Sequence, residues 1–226
     1  PRTHRAGLRA LLDVAGIDGP VGSFEAGFQI APRLNAAGRL QSAMRGLDLL
    51  CSKDPATAEE LAGLLDRNNR DRQRVEKEIT QQVLDTLRTQ FNPVRDHTIV
   101  MGDAGWNIGV VGIVASRVQK EFYRPTVILG GSPDGLRGSG RSIKDFDLAA
   151  ALKECDAVLD RYGGHAMAAG VSMQPGNLDA FRERLNEVAK SKLTKEMLQP
   201  TLKLDGTIPL HELNFGAVQS LSLIHI

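Results

Sequence analysis

Glycine-flanked arginine, serine and histidine side chains recur at three places in the sequence, and this combination is typical of phosphate binding. In residues 163–170 (GGHAMAAG) the N–H groups of Gly163 and Gly164 can turn toward an anion, because glycine adopts backbone conformations closed to other residues. His165 is placed to donate a hydrogen bond to a phosphate oxygen. A tight turn between packed elements, with a histidine in the core, would account for the same residues.

A second segment, residues 136–142 (LRGSGRS), has the composition of a flexible phosphate-binding loop. The forks of its two arginines, Arg137 and Arg141, and the hydroxyls of Ser139 and Ser142 suit phosphate oxygens, and Arg141 is the expected contact. Gly138 and Gly140 would keep the backbone mobile around them. A solvated hairpin is the alternative, and the Lys-Ser/Thr ending of a nucleotide-binding P-loop is missing.

A third segment, residues 33–39 (RLNAAGR), offers Arg33, Asn35 and Arg39 among small residues. Asn35 and Arg39 lie four positions apart, so both can reach one ligand, although a structural loop would also explain them. Trp106 precedes a glycine-rich helix start, which is a natural anion site. The indole could stack on a base, but a packed position at the core edge is favoured.

The elements that must position these residues fall into two parts. The first part is helical, with helices predicted over 7–16 and 43–50 and a loop over 28–40 around Pro32 and Gly38. Asp54 as N-cap and Pro55 at the first position then open a helix of some 37 residues that ends near Phe91. The charged run 66–78 within it is predicted to be a solvated helix face.

After Pro93 the pattern changes to alternating strands and helices, which predicts a small α/β domain. We predict strands at 97–101, 125–129 and 170–173, a strand or loop at 135–143, and helices at 109–122, 147–161 and 177–192. Residues 201–208 are predicted to begin a β domain.

Bulk composition excludes several classes of protein. With 42% hydrophobic residues and a net charge of +1, the chain is expected to fold, and any basic surface must be local. No stretch approaches the roughly 20 apolar residues of a membrane span. Cys51 and Cys155 have no metal-type spacing and are interpreted as small apolar fillers in a reducing cytosol.

In this order, the segments resemble the RecJ exonuclease family of the DHH phosphoesterases over residues 7–220. The markers are NAAGR at 35–39, GVVGIVASR at 109–117, GSGRS at 138–142 and GGHAMAAG at 163–170. The resemblance implies an α/β fold in four parts. They are the end of a DHH catalytic domain (1–53), a long connecting helix (54–93), a DHH-associated substrate-binding domain (94–193) and the start of an oligonucleotide-binding β-barrel (194–226).

The resemblance also implies a function for the parent protein. It would degrade single-stranded DNA from the 5′ end to mononucleotides in DNA repair and recombination, in the cytoplasm, as a monomer. Partners would be a single-strand-binding protein and a helicase. The expected substrate contacts form three groups. The first is Arg33, Asn35 and Arg39, on the side of the catalytic domain. The other two, in the DHH-associated domain, are residues 138–142, with the side chains of Ser139, Arg141 and Ser142, and residues Gly163, Gly164 and His165.

One departure from the family bears on catalysis. The family's Asp and Asp-His-His motifs, which hold two manganese or magnesium ions, would lie before Pro1. Neither metal ligands nor catalytic residues are therefore expected in this chain. The chain by itself should be inactive. Asn107 stands where many relatives have histidine, and residues from 221 onward do not resemble the family. The alternatives are a small-substrate DHH phosphoesterase, acting on oligoribonucleotides or nucleotide phosphates, and a stand-alone nucleic-acid-binding module.

Overall fold

The computed structural model describes residues 3–40 and 42–224. His225 and Ile226, which belong to the terminal segment without family resemblance, lie outside the described residues, as does Pro1. The helices are α1 Ala6–Ala15, α2 Ala31–Leu40, α3 Met44–Cys51, α4 Pro55–Gln90, α5 Val111–Phe122, α6 Leu148–Lys153, α7 Leu178–Lys192 and α8 Phe215–Ile224. The strands are β1 Ile99–Gly102, β2 Thr126–Ser132, β3 Gly135–Arg141, β4 Arg161–His165 and β5 Ala168–Met173.

The long helix α4 begins as the sequence predicts. Asp54 has extended backbone angles, and its carboxylate accepts a hydrogen bond from the Thr57 N–H at 2.9 Å, while Pro55 occupies the first turn. The Thr57 hydroxyl also donates to this carboxylate, and these hydrogen bonds lower the pKa of Asp54. Helix α1 likewise ends at Gly16, which adopts the left-handed conformation (φ 69°) that glycine favours.

Helix α4 carries a different packing partner on each half. Helices α1, α2 and α3 pack on its first half around Leu11, Leu49 and Leu65, which are fully buried. The second half packs on α5 through Ile79 and Val83, which share a core cluster with residues of α5 and the sheet. The helix therefore links the helical first part of the chain to the sheet.

The predicted loop at 28–40 is wrong, because the chain there is helical. A short π-helix, Glu25–Ile30, runs directly into α2. Ala36 and Ala37 are fully buried where α2 packs against α4. Pro32 is the second residue of α2 and follows the π-helix without a break, so its missing N–H removes one hydrogen bond from a continuous helical run. Tertiary packing of small residues outweighs the loop-forming tendency of Pro32 and Gly38.

The five strands form one sheet in the order β1-β2-β3-β5-β4, in which only the pairing of β1 with β2 is parallel. Helices α6 and α7 cover one face through a core that includes Phe181, Leu148 and Met173. Helix α5 covers β2 and β3 on the other face. Residues 135–143, which the sequence left open between strand and loop, thus contain a central strand.

Two other expectations are corrected. The helix predicted at 147–161 stops at Lys153, and after a 3-10 turn the chain enters β4 at Arg161, because residues 161–165 pair with β5. Residues 201–208 form no strand, since the described chain places no neighbouring strand beside them to satisfy their backbone. The start of a β-barrel is therefore not confirmed.

The charged run 66–78 is a solvated face only in part. Arg70, Arg74 and Lys77 are exposed, as predicted, but other residues of the run are buried. Asp66, Asn68, Asn69 and Glu76 are 2–6% exposed. They are buried because α4 is covered by α2 on one side and by α5 on another. Arg33 of α2 reaches Asp66 at 2.9 Å, and Arg117 of α5 reaches Glu76 at 2.6 Å. Long-range ion pairs thus join α4 to both neighbours.

The two cysteines have different environments. Cys155 is 1% exposed within the main core, and burial raises the pKa of its thiol to about 11, so it is an unreactive filler as expected. Cys51 is exposed at the end of α3, so the expectation of an apolar filler is wrong for that residue. In the described part of the chain, no helix has the length and apolar character needed to cross a membrane.

Candidate nucleic-acid interface

The uncovered part of the sheet is the face of β3, β5 and β4 that points away from α6 and α7, and we call it the open face. Directly paired residues of antiparallel strands share a face, so the strand register defines three rows across it. The inner row is Arg141, Ala168 and His165; the middle row is Ser139, Gly170 and Gly163; the outer row is Arg137, Ser172 and Arg161.

The alternation along each strand explains why this face is polar while the other is apolar. On β3, Leu136 and Gly140 alternate with the row residues and are buried against the core under α6 and α7. On β5 the alternating partners Ala169, Val171 and Met173 are 0–6% exposed. Row residues of β4 and β5, including His165 and Gly170, remain exposed. His165 is therefore not the core histidine of the alternative interpretation.

The glycines of β3 have a packing role that excludes the predicted flexible loop. A methyl group on Gly138 would lie 2.6 Å from Leu129 Cγ and 2.8 Å from the Ile128 carbonyl oxygen. One on Gly140 would lie 2.6 Å from Leu148 Cδ2. These glycines let neighbouring strands and helices approach closely, so they are needed for folding.

The glycine Gly163 has no such role. A methyl group built on it would meet no atom within 4 Å, and the nearest atoms to one on Gly170 are carbonyl oxygens at 3.9 Å and 4.0 Å. The φ of Gly163 is not in the positive range, whereas that of Gly164 is 147°. Space, rather than packing or backbone conformation, is what Gly163 provides on the open face.

We expect Gly138→Ala and Gly163→Ala to differ sharply in stability. The first should lower the free energy of unfolding by about 1–3 kcal/mol, the usual cost of overpacking. The second should leave it unchanged or slightly higher, because alanine restricts the unfolded chain more than glycine does. Urea denaturation of both variants measures the difference, and equal losses would contradict the assignment of Gly163 to the open face.

The start of α5 brings together side chains from distant parts of the chain. Arg39 Nη1 donates to the Gly109 carbonyl oxygen at 3.0 Å, and a methyl group on Gly109 would lie 2.0 Å from the Arg39 carbonyl oxygen. A methyl group on Gly112 would lie 3.1 Å from Ser139 Oγ and 3.4 Å from Arg141 Nη2. Arg39, Ser139 and Arg141 thus converge on a helix N-terminus, which attracts anions.

Within this cluster, Arg141 is held in place by its own strand. Its Nη1 donates to Ser139 Oγ and to the Gly140 carbonyl oxygen, both at 2.8 Å. Both residues are half-buried beside α5. The guanidinium therefore has a fixed position and N–H groups still available to a ligand.

A buried carboxylate organises further arginines behind this cluster. Glu76 Oε2 accepts from Arg72 at 2.7 Å, and Arg117 Nη2 lies 2.6 Å from Oε1 without a well-directed hydrogen bond. Burial lowers the pKa of Arg72; the Glu76 charge opposes this effect, and the positive charges of Arg39 and Arg117 lower it further. Three guanidinium groups therefore lie near one carboxylate, so the region favours anions.

The remaining expected site residues are placed differently. Arg33 is engaged with Asp66 and with the Gln29 carbonyl oxygen, so its fork is already occupied. Asn35 is exposed on α2, one turn before Arg39. Ser142 is 2% exposed and its hydroxyl donates to the Phe146 carbonyl oxygen at 2.7 Å, which points it away from the open face.

Sequence reasoning missed the outer row. Arg137, Ser139 and Arg141 recur at every second position, which is the period of a strand with one polar face. The interpretation of this segment as a flexible loop left that alternation unrecognised. The predicted helix at 147–161 likewise placed Arg161 outside any strand. Trp106 follows the favoured expectation: it is half-buried, packs beside the core of α4 and α5, and donates from Nε1 to Gln82 Oε1 at 2.9 Å.

A groove with a volume of about 1280 Å³ lies over the outer row and reaches Gly170 of the middle row. Its floor includes Arg137, Ser172, Arg161 and Gly170, and residues 105–108 form the opposing wall. Within residues 3–40 and 42–224, no three His, Cys, Asp or Glu side chains lie close enough together to hold a metal ion. The residues present therefore do not fit a metal centre, and the arrangement is suited to binding an extended anion.

Comparisons with known proteins identify what the chain is similar to. Residues 95–191 match the DHHA1 domain family. The chain is 38% identical over 226 residues to the single-stranded-DNA-specific exonuclease RecJ of Bacillus subtilis, covering 99% of this chain and 28% of that protein. It is 35% identical to RecJ of Escherichia coli, covering 96% of this chain and 39% of that protein.

Solved structures give the same result. The crystal structure of RecJ from Thermus thermophilus in complex with Mn²⁺ superposes with a TM-score of 0.73 at 36% identity, over 83% of this chain and 27% of that one. Its complex with Mg²⁺ gives a TM-score of 0.74 at 35% identity, over 83% and 29%. The chain spans less than half the length of these relatives. With its DHHA1 match over residues 95–191 and its similarity along nearly its whole length to part of the RecJ proteins, the chain resembles the RecJ family.

Proposed function

We propose that this chain is the substrate-binding part of a longer exonuclease that degrades single-stranded DNA from the 5′ end to mononucleotides. The observation that carries the proposal is the open face, where glycine provides room that the fold does not require. Arginine, serine and histidine side chains surround that room. The RecJ relatives are named as single-stranded-DNA-specific exonucleases, which supplies the substrate class.

The inner row and the start of α5 would hold the phosphate at one end of the strand. Arg39, Ser139 and Arg141 supply hydrogen-bond donors there, and the N-terminus of α5 adds a favourable dipole. His165 lies two strands from Arg141, roughly 10 Å away at the usual strand spacing. Both side chains can therefore reach a phosphate placed above Ala168. Asn35, Gly138, Gly140 and Gly164 would shape this site, with Arg33 and Ser142 supporting it from within.

The size of the groove favours an oligonucleotide over a small-molecule substrate. Pockets for small ligands occupy about 300–1,000 Å³, and the groove is larger, at about 1280 Å³, and open. Contacts to backbone phosphates would position the strand without reading its sequence. A small-substrate phosphoesterase would instead need an enclosed site of nucleotide size.

Metal chemistry would come from residues outside this chain. In the longer protein we propose that manganese or magnesium ions are held by Asp and Asp-His-His motifs, in keeping with the ions bound to RecJ from Thermus thermophilus. The 226-residue chain alone would then bind DNA without cleaving it. By the resemblance to RecJ proteins, we also propose a role in DNA repair and recombination in the cytoplasm, as a monomer working with a single-strand-binding protein and a helicase. An oligonucleotide-binding barrel would begin near residue 194.

We expect Gly163→Leu to block binding while preserving the fold. The leucine side chain would project into the space above the middle row, where a methyl group meets no atom within 4 Å. Affinity of the 226-residue chain for a fluorescent 5′-phosphorylated single strand should fall more than tenfold, with the melting temperature unchanged. Gly176→Leu is the matched control, because a methyl group on Gly176 also meets no atom within 4 Å and that residue lies in the 3-10 turn Pro175–Asn177, outside the open face. Unchanged affinity in Gly163→Leu would contradict the proposal.

The catalytic half of the proposal needs the longer protein. Incubated with single-stranded DNA and manganese, it should release mononucleotides progressively from the 5′ end, and a chelator should stop the reaction. The 226-residue chain should release none under the same conditions. Metal-dependent cleavage by the short chain would show that the catalytic residues have been placed wrongly.

A further inference from the structure

We infer that the outer row, Arg137, Ser172 and Arg161, forms a second phosphate-binding position that grips the DNA backbone a few nucleotides from the terminal phosphate. This inference rests on the proposed function, because it assumes that the inner row holds a strand end. It adds a separate site with its own residues. None of the three belongs to the motifs that mark the family resemblance.

The geometry of the outer row suits a backbone phosphate. Arg137 on β3 and Arg161 on β4 flank Ser172 on β5 in direct register, so all three point to the same face. All three also line the groove described above. Two guanidinium forks on either side of a hydroxyl can surround the two free oxygens of a phosphodiester.

The two arginines of this row are uncommitted. Both are exposed, and within the described residues neither forms an ion pair or a side-chain hydrogen bond. By contrast, Arg33, Arg72 and Arg117 are each paired with a carboxylate. Free guanidinium groups lining a groove retain all their donors for a ligand.

The nearby carboxylates leave this position available to an anion. Asp160 lies directly before β4 and borders the groove, where its carboxylate accepts a hydrogen bond from Gln174 Nε2. Asp134 lies in the turn between β2 and β3, at the end of the groove. Neither aspartate forms an ion pair with the arginines of the outer row.

The spacing between the inner and outer rows sets the length of DNA that can contact the second phosphate-binding position. Arg141 and Arg137 are four residues apart on β3, about 14 Å at 3.4 Å per residue. A stacked strand advances about 3.4 Å per nucleotide, so this distance spans at most about four nucleotides, and fewer when the strand is stretched. A mononucleotide cannot reach both rows.

The test compares ligands of two lengths. Affinities of the 226-residue chain and of its Arg137→Ala/Arg161→Ala variant are measured for 5′-phosphorylated thymidine mononucleotide and for the 5′-phosphorylated thymidine hexamer. We expect the double variant to bind the hexamer more than tenfold more weakly and the mononucleotide equally well. The slope of log K against log salt for the hexamer should fall by about 0.7, because the outer row holds one phosphate. Arg88→Ala, which removes an exposed arginine of α4 that pairs with Asp85, should change neither affinity.

The outcomes separate this inference from the proposed function. If the unaltered chain binds neither ligand, the proposed function itself fails. If it binds the hexamer and the double variant binds equally well, only the second phosphate position is wrong. If the double variant binds the mononucleotide and the hexamer more weakly by the same factor, the two arginines belong to the terminal phosphate site and the inference is overturned. An Arg137→Lys/Arg161→Lys variant that restores the salt slope but not the full affinity would support it, because lysine keeps the charge and loses the fork.

Discussion

Replacing Glu76 by alanine is expected to lower the free energy of unfolding by about 3 kcal/mol. The carboxylate is 2% exposed, and it neutralises Arg72, whose side chain is only 12% exposed. Without Glu76, Arg72 would remain buried beside the positive charges of Arg39 and Arg117. Removing one partner of a buried ion pair costs about 3–5 kcal/mol, and the exposed position of Arg117 places the expected loss at the lower end.

The same helix provides the control. Glu78 lies two residues further along α4, where it pairs with Arg74, and both side chains are more than half exposed. Glu78→Ala should change stability by less than about 1 kcal/mol, as surface ion pairs usually do. Urea denaturation of both variants and of Glu76→Gln, which keeps the size and removes the charge, tests the prediction. Similar midpoints for Glu76→Ala and Glu78→Ala would show that the buried cluster contributes nothing to stability.

The loss of Arg141 should have the largest effect on DNA binding. One charge-assisted hydrogen bond to phosphate contributes on the order of 1.5–3 kcal/mol, so Arg141→Ala should weaken binding of a single strand more than tenfold. The slope of log K against log salt should fall by about 0.7. The mononucleotide should be affected as strongly as the hexamer, in contrast to the variants of the outer row.

Stability must be followed in the same experiment, because Arg141 is not the free loop residue that the sequence suggested. Its guanidinium donates to Ser139 Oγ and Gly140 O, and its loss should cost roughly 1 kcal/mol of folding free energy. Arg141→Lys should keep most of the salt dependence while losing the bidentate fork. A folded Arg141→Ala variant with unchanged affinity and unchanged salt slope would remove the inner row from the substrate site. The site would then rest on His165 and Arg39.

Sequence alone determined the features that depend on local chemistry. The start of α4 follows from Asp54 and Pro55, whose effects act within one helical turn. The end of α1 follows from the glycine at position 16, because glycine readily adopts the left-handed conformation. The alternation of strands and helices after Pro93 was also predicted, since each element has its own hydrophobic period. The motifs that mark the RecJ resemblance pointed to Arg39, Ser139, Arg141 and His165 before any geometry was known.

Tertiary structure alone decided what each of these side chains faces. Helix α2 forms because Ala36 and Ala37 fit against α4, a contact between segments distant in sequence. Glu76 is buried because α5 packs on α4. Arg137 and Arg161 share a row because β5 inserts between β3 and β4, an order that no local pattern specifies. Periodicity determines that a strand has two faces, but only the packing of α5, α6 and α7 decides which face is covered and which remains open to a ligand.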